Sequence, residues 1–228
     1  MANDLDRERI REAFARLGEH LRAAGRFLEI AVYGGSAIAL RFDWRGATED
    51  VDAVVREGFD ERDLAGPVAA VAREMDLDAD WLNNAVGAFT PLDEDDAWFE
   101  VAGDYPSAAD PGLRVVTAGP RYLLAMKLAA LANPERWGRD LGDAAGLASE
   151  VGITKVGELY DLYHAIHAEA PSALVRETFE VVLQRGSADR ASNKPAAGVG
   201  DGSTDDWDAR SGTEANHADD TTRNQRDA

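Results

Sequence analysis

The chain has 228 residues, and its 43 acidic against 24 basic side chains give a formal net charge of −19. So negative a surface repels phosphate backbones, which disfavours non-specific binding to nucleic acids. No stretch approaches the roughly 20 apolar residues that span a bilayer. The N-terminus lacks the layout of a signal peptide and no cysteine is present, so we expect a cytoplasmic protein rather than a membrane protein.

In chain order, apolar residues at helical spacing predict a first helix over about 4–24. A short apolar run over 27–33 predicts a strand that ends at a glycine pair, and Ser36 is expected to cap a short helix over 37–42. A second strand is predicted over 50–55. The remaining predictions are an acidic loop over 93–96, strands over 98–102 and 113–117, and helices over 61–75, 122–131, 140–151, 156–168 and 172–183.

These elements predict an α+β fold in three segments. Residues 1–119 would form a small mixed β-sheet with flanking helices, and residues 120–186 a helical region. Residues 187–228 contain scarcely a large apolar side chain besides Trp207, so they cannot bury enough surface to offset chain entropy, and we expect a disordered acidic tail.

Two motifs in the first segment point to chemistry. Asp50 and Asp52 alternate on a predicted strand and share one face, where two carboxylates suit Mg²⁺. The alternative is a pair of solvated acids. Upstream, Gly34, Gly35 and Ser36 link a strand to a helix, a turn that exposes N–H groups to phosphate oxygens, although glycine pairs also occur in ordinary turns. Together the motifs favour a metal-phosphate site.

The helical segment adds a third candidate group. Lys127 lies at helical spacing on an apolar face, where an unpaired charge is costly. A phosphate partner would offset that cost, and the alternative is a side chain that extends to the rim. Asp140 and Asp143 share one helical face, and the alternative for Asp140 is a helix cap or a pair with Arg136.

The segment Gly34-Gly35-Ser36 followed by Asp50-Val51-Asp52 resembles the signature of the polymerase-β-type nucleotidyltransferase superfamily. Residues 122–131, which include Lys127, and then Arg139-Asp140-Leu141-Gly142-Asp143 are similar to the helical motifs of AbiEii-like nucleotidyltransferases. The resemblance covers about residues 27 to 150. It implies a small mixed-sheet nucleotidyltransferase core and transfer of a nucleoside monophosphate from a nucleoside triphosphate.

The resemblance also implies roles for residues and partners. Two Mg²⁺ ions would be held by Asp50 and Asp52, and the acceptor would be an RNA, for example a tRNA end, or a protein hydroxyl. Many relatives belong to toxin-antitoxin or phage-defence systems, so a cognate toxin or antitoxin is an expected partner. The residues expected to contact the nucleotide are Gly34, Gly35, Ser36, Lys127, Asp140 and Asp143.

The superfamily pattern further implies a third carboxylate, which acts as general base from a neighbouring strand. We expect Glu100 in this role, with Asp96 and Asp104 as alternatives.

Other functions stay open on the sequence alone. One is a catalytically weak, antitoxin-like relative that binds nucleotide or a partner protein, and another is a structural domain without a ligand. His164 and His167 are too few for a zinc site, which needs three or four ligands. A local basic patch, with ordinary ion pairs as the alternative, is expected from Arg114, Arg121, Arg136 and Arg139.

Overall fold

The computed structural model describes residues 4–57, 64–91 and 94–193, which form an α+β fold. The strands of this part are β1 (Leu5–Asp6), β2 (Leu28–Val32), β3 (Ala47–Thr48), β4 (Val51–Glu57), β5 (Leu82–Asn83), β6 (Phe99–Tyr105) and β7 (Leu113–Ala118). Its helices are α1 (Arg7–Ala23), α2 (Gly34–Arg41), α3 (Ala65–Met75), α4 (Pro120–Ala130), α5 (Trp137–Glu150), α6 (Val156–Ile166) and α7 (Ala173–Asn193). None of these helices is long and apolar enough to cross a membrane.

Five strands form a mixed sheet in the order β5-β4-β2-β7-β6. β2 runs antiparallel to β4 and parallel to β7, while β6 is antiparallel to β7 and β5 is parallel to β4. The central strand β2 is apolar and buried at Ile30, Ala31 and Val32, as expected for a strand covered on both faces. β1 and β3 form a separate antiparallel pair.

Helix α1 covers one side of this sheet. Asp6 caps it by accepting a hydrogen bond from the Arg9 N–H at 2.8 Å. Its buried stripe is the one that the sequence periodicity predicts and consists of Ile10, Phe14, Leu17 and Leu21. Helix α1 packs on β6, β7 and α3, and so it covers one face of the sheet at these strands.

The helices after the sheet continue the same hydrophobic core. α4 packs against α5 and α6, and α5 packs against α7. Buried residues of α4, α5 and α7 belong to one cluster with those of β2 and α1, including Leu124, Leu147 and Phe179. α4 also packs against α2, the helix that follows the glycine turn.

The structure differs from the predicted elements at several ends. Helix α7 continues to Asn193 and so extends beyond the predicted end at residue 183 into the first residues of the expected tail, because each further residue of an established helix adds a hydrogen bond. The rest of the expected tail, the start of the helix predicted over 61–75 and Asp93 of the acidic loop lie outside the described residues. β1, β3 and β5 were not predicted, since two residues carry no periodicity.

Candidate functional site

The first part of the site is the turn between β2 and α2. Helix α2 begins at Gly34 itself, and its first helical hydrogen bond runs from the Ala37 N–H to the Tyr33 carbonyl at 3.1 Å. The N–H groups of Gly34, Gly35 and Ser36 come before this bond and lie at the helix N-terminus, where anions are favoured. These are the N–H groups that the sequence predicts as a phosphate contact.

Ser36 does not cap this helix, contrary to the prediction. Its buried hydroxyl donates to the Tyr33 carbonyl at 2.9 Å, and the N-cap residue is Tyr33. The helix starts before the predicted residue 37, because Gly34 takes a positive φ of 60° and makes the turn directly after β2.

The second part of the site is the aspartate pair, which the fold brings to this turn. The Tyr33 N–H donates to the Asp52 carbonyl at 3.0 Å, so the end of β2 lies beside the start of β4. A Cβ atom on Gly34 would lie 2.8 Å from Asp52 Oδ2, and one on Gly35 would lie 2.9 Å from Thr48 Oγ1. Gly34 therefore leaves room for the Asp52 side chain, and Gly35 for that of Thr48.

The two carboxylates differ in their surroundings. Asp50 Oδ2 accepts a hydrogen bond from Asn83 Nδ2 at 2.9 Å. Burial raises the pKa of Asp52 above its ordinary value, and the negative charge of Asp50 raises it further, while the charge of Lys127 opposes both. The pair is thus close enough for mutual repulsion, which a divalent cation would relieve.

The structure does not bring Glu100 to this pair. Glu100 lies on the edge strand β6 and pairs with Arg41 at 2.9 Å, with 63% of its side chain exposed. β7 and β2 lie between β6 and β4, which at about 4.8 Å per strand puts the two strands about 14 Å apart. Of the alternatives, Asp104 bonds Arg114 at 2.8 Å and Asp96 pairs with Arg56.

The strand that does neighbour β4 on its free side is β5, and it carries an amide. Asn83 lies in register with Asp52 across this pair. Its Oδ1 accepts from the Ala85 N–H at 2.9 Å while its Nδ2 holds Asp50. Sequence reasoning missed Asn83 because nothing in a strand of two residues marks it as a strand.

The third part of the site is an ionic network between α4 and α5. Lys127 Nζ lies 2.7 Å from Asp140 Oδ1 and 2.9 Å from Asp143 Oδ2, and all three side chains are buried. Arg136 Nε lies 3.1 Å from Asp140 Oδ2, and Arg45 Nη1 lies 3.1 Å from Asp143 Oδ1. Three cations therefore share two carboxylates, and the network keeps an excess of positive charge.

Lys127 does not extend to the rim, which was the alternative for its side chain. It is buried and pairs with two carboxylates inside the protein, and its contact with a phosphate stays a prediction. The pair between Asp140 and Arg136 that we considered as an alternative is present, together with the contact to Lys127. A lone Lys on an apolar face gave no signal of these partners, because they lie on another helix.

The network adjoins the turn and the aspartate pair. Arg45 Nη2 lies 3.1 Å from the position of a Cβ added at Gly35, and Arg139 Nη1 bonds Glu49 at 2.8 Å. Arg45 and Thr48 lie between the two motifs in sequence. This position is the only feature of the sequence that could have marked them as residues of the site.

The remaining candidates lie elsewhere. The ring of His167 contacts the Ala125 carbonyl through Nε2 at 3.1 Å. Arg114 bonds Asp104 on the far strands, so it is separate from Arg136 and Arg139 at the site. Among the described residues, no group of three or more His, Cys, Asp or Glu side chains is placed to hold a metal ion.

Comparison with known proteins adds no assignment. No protein-family model, no curated protein and no solved structure matches the chain. The resemblance to AbiEii-like nucleotidyltransferases therefore rests on the sequence motifs alone.

Proposed function

We propose that the protein is a metal-dependent nucleotidyltransferase that transfers a nucleoside monophosphate from a nucleoside triphosphate to an RNA or protein acceptor. The supporting observation is that Asp52 Oδ2 lies against Gly34, so a carboxylate lies beside the N-terminus of a helix. The positive network around Lys127 adjoins the same carboxylate. Residues from three distant segments thus provide donors for phosphate oxygens and ligands for a cation.

The donor set fits Mg²⁺ that arrives with its substrate. Mg²⁺ is usually bound through one or two carboxylates and completes its shell with water and substrate phosphates. Asp50 and Asp52 would supply the carboxylates, and Asn83 orients Asp50. When bound, Mg²⁺ would neutralise charge on the triphosphate and on the leaving pyrophosphate.

The protein's own groups account for the other requirements of the reaction. An acceptor hydroxyl oxygen bonds to the α-phosphorus, the bond from that phosphorus to the bridging oxygen breaks, and pyrophosphate leaves. The N–H groups of Gly34, Gly35 and Ser36 would hold phosphate oxygens in line. The hydroxyl proton passes to water, since among the described residues no third carboxylate joins Asp50 and Asp52 to accept it.

One observation favours a second function, a catalytically weak protein that binds nucleotide or a cognate partner. The strand next to Asp52 offers the amide of Asn83 where the superfamily pattern implies a carboxylate. A neutral amide accepts no proton and ligates Mg²⁺ more weakly than a carboxylate. The binding function then needs the turn and the network but not turnover.

Labelling separates the two functions. Purified protein is incubated with Mg²⁺, each labelled nucleoside triphosphate in turn, and either cellular RNA or a co-encoded protein. The transferase should label an acceptor, Asp52→Ala should abolish the label, and Glu100→Gln, which alters an exposed pair far from Asp52, should leave it unchanged. No label with any triphosphate would contradict the transferase.

The binding function predicts a different pattern. Nucleotide or partner binding should survive Asp52→Ala, and Asn83→Asp should tighten Mg²⁺ binding by adding a carboxylate in register with Asp52. Loss of all nucleotide and partner binding in Asp52→Ala would exclude it.

A further inference from the structure

A pocket of about 420 Å³ lies beside the site, between α5, α7 and the chain that follows α2. Its charged lining consists of Arg45, Arg139, Arg185 and Asp143, and Trp44 forms one wall. We propose that this pocket receives the terminal phosphates of a nucleoside triphosphate, with the three arginines as ligands. The proposal rests on the proposed function, since it names where part of that substrate binds.

The charges of the pocket favour a small polyanion. Among the described residues that line the pocket Asp143 is the only acid, and Lys127 already lies 2.9 Å from it. Arg185 lines the pocket and forms no ion pair within the part of the chain that the structure describes. Guanidinium groups bind phosphate oxygens in pairs, and a concentrated positive wall attracts anions even in a chain of net charge −19.

The pocket also has room and a rigid wall. At Gly142 a Cβ atom would lie 3.5 Å from Arg185 Nη2, so a side chain there would fill the space before this arginine. Trp44 is fixed, because its Nε1 donates to Glu150 at 3.1 Å and its ring stacks on Phe42 with centroids 5.6 Å apart. Such a site is preorganised for a ligand.

Arg45 connects the pocket to the glycine turn. Its Nη1 contacts Asp143 in the pocket wall, and its Nη2 lies 3.1 Å from the position of a Cβ added at Gly35. A phosphate chain that starts at the N–H groups of the turn can therefore continue to the arginines. An RNA backbone would need a longer basic track, which the acidic composition disfavours.

The test is calorimetric titration with inorganic tripolyphosphate in EDTA, which removes any contribution from metal. The wild-type protein should bind it, and Arg185→Gln should raise the Kd about tenfold or more, as expected for loss of a charged hydrogen bond. Arg176→Gln is the matched control, because Arg176 is exposed on the same helix and does not line the pocket. Thermal unfolding should show both variants folded.

The outcomes separate this proposal from the proposed function. Binding that depends on Arg185 and persists in Asp52→Ala supports the pocket even if no acceptor is ever labelled. No tripolyphosphate binding, or equal Kd values for Arg185→Gln and Arg176→Gln, overturns the pocket even if labelling succeeds. A single-stranded RNA oligonucleotide that binds more tightly than tripolyphosphate, and through Arg185, also overturns it in favour of an RNA backbone.

Discussion

Replacing Gly34 with alanine tests the contact on which the site depends. Gly34 has a φ of +60°, and a Cβ there would lie 2.8 Å from Asp52 Oδ2. The left-handed backbone costs an L-residue roughly 1 to 2 kcal/mol. Displacing the Asp52 carboxylate adds roughly 1 to 3 kcal/mol, as for other overpacked sites. We therefore expect Gly34→Ala to lower the free energy of unfolding by roughly 2 to 5 kcal/mol.

Gly25→Ala separates the two contributions. Gly25 has a similar φ of +67° at the end of α1, but a Cβ there meets nothing within 4 Å. It should show the backbone cost alone, and its m-value in urea should match that of Gly34→Ala. In the double variant Gly34→Ala, Asp52→Gly, the destabilisation caused by the contact between the new Cβ and Asp52 should disappear, because the Asp52 side chain is absent. Equal destabilisation by the two single variants would refute the contact between Gly34 and Asp52.

Three further predictions concern buried charges, each measured by urea unfolding. Lys127→Met should cost roughly 3 to 5 kcal/mol, since it removes the buried cation that Asp140 and Asp143 share, whereas Arg136→Met, at a side chain 48% exposed, should cost about 1 kcal/mol or less. Burial raises the pKa of Asp52, because it disfavours the charged carboxylate in the folded protein. The contribution of Asp52 to the free energy of unfolding is therefore fully present below about pH 3.9 and is lost as the pH rises through the folded-state pKa. Asp52→Asn should therefore stabilise the protein at neutral pH and not in acid, and a pH-independent difference would contradict this. Burial lowers the pKa of His167, so the free energy of unfolding should fall as the pH drops below about 6.5. His167→Gln should make this fall less steep. An unchanged dependence of the free energy of unfolding on pH would contradict the prediction.

The sequence alone predicted much of the fold and part of the site. The stripe of α1, the strands β2 and β4 and the glycine turn follow from periodicity and turn chemistry, which act over a few residues. Alternation over the strand predicted at 50–55 placed Asp50 and Asp52 on one face, whereas in the structure β4 begins at Val51 and Asp50 lies just before it. The predicted end of the last helix at residue 183 was too early, because buried residues earlier in α7 hold a helix that continues to Asn193.

Strand order and ion pairs were decided only by the tertiary structure. Glu100 fits the sequence pattern of a third carboxylate, but β6 pairs with β7, so Asn83 of the short strand β5 lies beside Asp52 instead. Lys127 finds Asp140 and Asp143 because α4 packs on α5, a contact that no local pattern encodes. Local chemistry fixes which residues can act, whereas the packing of the whole chain decides which of them meet.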